Sequence, residues 1–181
     1  MNNGLKLGLL SVAAGLALHA GNANAEVAMH TFSGNAVNYC QAFTPGPANT
    51  IRNRVVGAEN VGPNVMNVAC NFASLYNGDM NNGSSPVGLW VYFSNNKTAP
   101  LTVTCTLLTS YQGSETAYAS TKSVTIPAGS FSAESLSWTA EDNPVAGATD
   151  LGSDLVGINC TLPVGAVVND TYLDWPMDNG I

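Results

Sequence analysis

Charge is what this sequence has least of. Only 9% of its 181 residues are charged, with five Lys and Arg against twelve Asp and Glu, for a formal net charge of −7. So acidic a chain with so few cations repels phosphate backbones and anionic headgroups, which argues against nucleic acid and membrane surfaces as partners. Histidine is equally scarce, and of the two present only His30 follows the first 25 residues. A serine hydrolase needs an imidazole that takes and returns a proton. A lone histidine so near the start reads as solvated or packed against its neighbours. No Gly-x-Ser-x-Gly elbow occurs, and no Cys-x-x-Cys or Cys/His cluster offers zinc a site. Ser94-Asn-Asn-Lys97 matches Ser-x-x-Lys in form only, because it has the composition of a polar turn and its companion motifs are missing. No catalytic residue is assigned.

Long apolar runs are also absent, apart from one at the start. Lys6 precedes the run Leu7 to Ala20, which glycines interrupt and which is too short to cross a bilayer. Ala23-Asn24-Ala25 follows, with small residues where a signal peptidase reads. Residues 1–25 are therefore expected to be a cleaved signal peptide and residues 26–181 a single domain, with a charge of −8 once Lys6 is gone. No cysteine stands at the cleavage point for lipid attachment. The expected location is secreted or periplasmic, in a bacterial setting, with no membrane span after cleavage.

Four cysteines remain, Cys40, Cys70, Cys105 and Cys160. An even count in an exported chain reads as two disulfides. Three connectivities are open, and Cys40–Cys70 with Cys105–Cys160 is favoured. Three of the four sit in alternating runs: Leu101-Thr-Val-Thr-Cys105-Thr-Leu107, Val156-Gly-Ile-Asn-Cys160-Thr-Leu162 and Met66-Asn-Val-Ala-Cys70-Asn-Phe72. Alternation is the mark of half-buried strands, and here it puts each sulfur on the apolar face. Further strands are expected at Asn35–Phe43, Val87–Phe93, Ala117–Ile126, Ser132–Thr139 and Val167–Leu173, with loops at 44–50, 76–86, 94–97, 127–129 and 140–151. No helical period is sustained.

The fold class is thus all-β, a two-sheet sandwich with two disulfides. Its spacing of short strands resembles an immunoglobulin-like or fibronectin-like sandwich. Trp138, 33 positions after Cys105, lies too far on for the antibody core tryptophan, and Ile158 stands where the corner tyrosine would be. A jelly roll fits the same strands. Residues 26–32 have the character of an ordinary first strand, with pairing to a neighbouring molecule's sheet edge as the alternative.

In Val87-Gly-Leu-Trp90-Val-Tyr92-Phe93 the aliphatic residues and Phe93 alternate with Trp90 and Tyr92. Aromatic pairs on a strand are commonly packing, so the expectation is a far face covered by the N-terminal arm or a partner chain. Left uncovered, Trp90 and Tyr92, joined by Trp175, would form a platform for sugar rings. Carboxylates that could pair for hydrolysis are Glu134, Glu141, Asp142, Asp150, Asp154, Asp170, Asp174 and Asp178. Asp170, Asp174 and Asp178 also form a candidate calcium set, a structural calcium ion being the one cofactor considered. The short stretch Asp79-Met-Asn-Asn-Gly83 is one residue short of a calcium loop. The leading functional expectation is an exported, non-enzymatic protein with a structural, adhesive or assembly role, through self-association or contact with cell-surface or matrix glycans or proteins. The alternatives are a carbohydrate-binding module using exposed aromatics and a small carboxylate-dependent hydrolase.

Overall fold

The computed structural model describes residues 27–43, 46, 50–72, 85–110, 117–131, 134–151 and 155–178. The expected leader and the 79–83 loop lie outside the described residues. Among the described residues eleven strands occur in the order β1 (Val27–Asn35), β2 (Cys40–Ala42), β3 (Ile51–Arg54), β4 (Gly57–Asn60), β5 (Met66–Asn71), β6 (Gly88–Asn95), β7 (Leu101–Ser110), β8 (Ala117–Ile126), β9 (Glu134–Thr139), β10 (Leu155–Leu162) and β11 (Ala166–Asp178). They form two antiparallel sheets. Sheet A runs β3-β4-β11-β6-β9, with β1 also on β11, and sheet B runs β2-β5-β10-β7-β8. From β4 onward the first strand pairs with the last, the second with the next to last, and so inward to β7 with β8. That nesting is the jelly roll, and it decides between the two sandwiches the sequence left open.

Period-two alternation builds the core. Val103, Cys105 and Leu107 of β7, Val156, Ile158 and Cys160 of β10 and Met66, Val68 and Cys70 of β5 are all buried on one face of sheet B. Leu89, Val91 and Phe93 of β6, Leu136 and Trp138 of β9 and Leu173 of β11 face them from sheet A. Both disulfides form in the favoured pairing, Cys40–Cys70 and Cys105–Cys160. Each joins directly opposed residues on neighbouring strands of sheet B, so the bonds lie within one layer and do not tie the two layers together.

The layers are tied by polar bonds along one seam, where β8 faces β9. Lys122 projects inward from β8, donating to the Ser137 carbonyl at 2.7 Å and pairing with Asp142 at 2.8 Å. In return the indole N–H of Trp138 donates to the Ser120 carbonyl at 3.1 Å. An inward lysine on an edge strand also guards that edge against pairing with another molecule.

Two buried asparagines fix the turns. Asn60 donates to the Asn64 and Leu162 carbonyls at 2.9 and 2.8 Å and accepts from Gly62 N. Asn95 does the same for the β6–β7 turn, donating to the Ala99 and Pro127 carbonyls and accepting from Lys97 N. A buried amide that satisfies three backbone groups at once specifies its turn strongly. The Ser94–Lys97 stretch is accordingly the end of a strand and a turn, not a helix start.

Three expectations need correction. The strand expected at Asn35–Phe43 is broken, because the Asn35 side chain accepts from Val37 N at 3.0 Å and caps a 3-10 turn over Ala36–Asn38. Asn35 itself ends β1. The β3–β4 hairpin answers no sequence expectation, since Ile-Arg-Asn-Arg and Gly-Ala-Glu-Asn show no apolar alternation. Within the expected 140–151 loop, Ala140–Asp142 forms a 3-10 turn. Finally, β11 does not end at Leu173 but runs through Pro176 to Asp178. Pro176 lies past Gly88, the last β6 residue opposite β11, and so sits where β11 has β1 as its paired neighbour. A proline is tolerated there because no second ladder needs its missing N–H.

Candidate functional site

The outer face of sheet A gathers the exposed rings. Since Leu89, Val91 and Phe93 are in the core, Trp90 and Tyr92 point out of the sandwich. The N-terminal arm does not cover them. Its β1 pairs edge to edge with β11 over Val27–Asn35 and so widens sheet A instead of lying across it. Main-chain pairing satisfies the donors and acceptors of the arm and of β11 together, which a strand laid flat across the face would not do.

On β11 a bulge between Val168 and Thr171 shifts the register. Val168 and Thr171 are both buried, three apart, so the alternation changes parity at Asn169–Asp170. Tyr172 consequently points outward, directly opposite Trp90, and is 36% exposed. Its ring meets that of Tyr92 edge to face, with centroids 5.4 Å apart. Trp90 and Tyr92 are half-buried. The six-membered ring of Trp90 lies over Gly88, where an added Cβ would run into it. Glycine is needed at that point because the ring approaches the backbone more closely than a side chain would allow.

Hydroxyls and one carboxylate flank the rings. Ser33 lies opposite Tyr172, Ser137 opposite Trp90 and Ser135 opposite Tyr92, while Thr31, Asp174 and Gly88 follow one another across β1, β11 and β6. Asp174 is half-buried, and its Oδ1 is enclosed without a hydrogen-bond partner among the described residues. Farther along the face Glu59 is nearly covered. Arg52 donates to it at 2.7 Å, Arg54 also binds it, and Asn96 donates at 3.0 Å. Burial alone would push the Glu59 carboxyl up, but these donors outweigh it and hold the pKa below the ordinary glutamate value.

The remaining sequence candidates separate. Trp175 has the opposite parity to Tyr172, so it packs beside the core and stacks on His30 at 6.4 Å, away from Trp90. Asp170 and Asp174 lie four residues apart on an extended strand, roughly 13 Å along it, and the side chain of Asp178 is outside the described residues. Among the described residues no three metal-ligating side chains converge. Of the other acids, Asp142 is committed to Lys122, Glu134 stands opposite Phe93, and Glu141 and Asp150 lie on the following connection. Asp154 is outside the described residues. The sequence reading missed Tyr172 and the place of Asp174 beside the Trp90 ring. Parity counted back from Leu173 would have placed both residues with the outward set.

The outer face of sheet B differs in kind. Thr102–Thr125, Thr104–Ser123 and Thr106–Thr121 pair their hydroxyls across β7 and β8 at 3.2, 2.7 and 2.9 Å. Beyond this ladder is an apolar recess of about 310 Å³ over Ala69 and Gly157, bordered by Phe43 and Leu108.

No protein-family model and no curated protein matches the chain. Among solved structures, a CBM4 structure is similar at 10% identity with a TM-score of 0.33, over 81% of this chain and 86% of that one. The family 11 carbohydrate-binding module from Clostridium thermocellum, solved in complex with a β-1,3-1,4-mixed-linked tetrasaccharide, is similar at 8% identity with a TM-score of 0.35, over 82% and 87% of the two chains. No helix among the described residues is long and apolar enough to cross a membrane. With so little geometry shared, what the outer face of sheet A can bind is decided by its own residues.

Proposed function

We propose that this protein is an exported carbohydrate-binding protein that takes a glycan on the outer face of sheet A. The observation that carries this reading is the Trp90 ring laid along its strand over Gly88, with Tyr172 and Tyr92 beside it. Held over Gly88 on the outer side of the sheet, the half-buried ring keeps part of its surface open. An indole face of that kind matches the C–H face of a pyranose, and the surrounding Ser33, Ser137 and Thr31 hydroxyls with Asp174 supply bonds to the sugar's rim. Trp90 is the stacking surface, Tyr172 and Tyr92 form a wall, and Asp174 is the strongest acceptor. In this reading residues 1–25 are a removed leader, residues 26–181 a single secreted or periplasmic domain, and the adhesive role suggested by the composition becomes contact with glycan.

The test is a glycan array followed by calorimetry on the native protein and Trp90→Ala. Native binding that is lost in the variant, with an unchanged circular-dichroism spectrum, is the expected result. A native protein that retains no glycan, or a variant that binds as well as the native protein, would refute the proposal.

A further inference from the structure

We infer that this face selects a cationic glycan, an amino sugar carrying a protonated nitrogen, over a neutral one; the inference rests on the glycan-binding reading above. Asp174 stands directly opposite Gly88, the residue over which the Trp90 ring lies, so carboxylate and ring share one row of the sheet. The lysines and arginines among the described residues lie elsewhere. Arg52 and Arg54 hold Glu59, Lys122 holds Asp142 and the Ser137 carbonyl, and the Lys97 stem lies against Gly165. None of these four neutralises Asp174, whose Oδ1 has no donor among the described residues.

A half-buried carboxylate whose covered oxygen has no donor is costly, and a cation seated beside the group relieves the cost. An ammonium group suits this place twice over. It is attracted to the aromatic face beside it and makes a charge-assisted bond to the carboxylate, about twice as strong as the bond from a neutral hydroxyl. The acidic chain, at −7 overall, also draws a polycation toward it from a distance.

The probes are a glucosamine oligomer, its N-acetylated counterpart and a cello-oligomer of equal length. Each is titrated calorimetrically in mildly acidic, low-salt buffer into the native protein, Asp174→Asn and Trp90→Ala. The glucosamine oligomer is expected to bind the native protein roughly tenfold tighter than the N-acetylated one, with the difference shrinking as salt is added. Asp174→Asn removes that preference, so that the two oligomers bind alike, while Trp90→Ala loses the binding of both. Equal native affinities for the two oligomers, or a preference that survives Asp174→Asn, overturns the selection of amino sugars and leaves the platform standing. A native protein that binds no oligomer overturns both. The native comparison decides the matter even if a variant fails to fold.

Discussion

Replacing Glu59 with Gln tests how sheet A is held at its outer corner. The side chain is 6% exposed, yet its partners Arg52 and Arg54 are 54% and 38% exposed. Removing one member of a fully buried pair costs about 3–5 kcal/mol. Here both guanidinium groups can turn to water and the bond from Asn96 can persist, so the expected loss is about 2 kcal/mol at neutral pH. The sign of the pH dependence follows from the direction of the Glu59 shift. Its pKa is lower folded than unfolded, so its contribution is complete above the unfolded value and drains away as the pH falls through the folded one. Urea unfolding followed by tryptophan fluorescence, at neutral pH and again well below the ordinary glutamate range, reads this directly. The gap between native and Glu59→Gln proteins should be wide at neutral pH and should close in acid, with m-values unchanged. A gap of the same size at both pH values would refute the reasoning.

Two further perturbations follow from the geometry. Gly88→Ala places a methyl group against the Trp90 ring; glycan affinity should fall several-fold while the urea midpoint moves by less than about 1 kcal/mol equivalent, and undiminished affinity would show that the ring's position is irrelevant. Converting Cys105 and Cys160 to Ala opens a 55-residue link between fully buried sulfurs; the loop-entropy cost is about 4 kcal/mol, and a loss below about 1 kcal/mol by urea unfolding would contradict it.

The central strands were legible because their surroundings are simple. β5, β7 and β10 each have one face in the core and one face outward, and the Cys parity in Leu101–Leu107 and Val156–Leu162 follows from that alone. Parity left three disulfide pairings open, and the favoured one, Cys40–Cys70 with Cys105–Cys160, is the one that forms. The β3–β4 hairpin was hidden because its stability comes from Glu59 and its arginines, long-range partners that leave no periodic trace. Trp90 and Tyr92 were found by alternation within β6. Tyr172 was missed because the bulge after Val168 inverts the parity midway along β11, and a one-residue offset moves every later side chain to the other face. Trp175 was grouped with the platform for its chemistry, while the parity of β11 places it on the other side.

The place of β11 in the chain sets an order of events. It follows the other ten described strands in the chain, yet it is the shared neighbour of β1, β4 and β6. Until it emerges, β1 has no ladder partner among the described strands, the β3–β4 hairpin is detached from β6, and the face that carries Trp90 lacks its Tyr172 wall. All four sulfurs, by contrast, lie upstream in β2, β5, β7 and β10. Oxidation can therefore lock one layer while the other still awaits its middle strand. Any fragment that stops short of Ala166 could carry both covalent links and still lack Tyr172 and Asp174 beside Trp90.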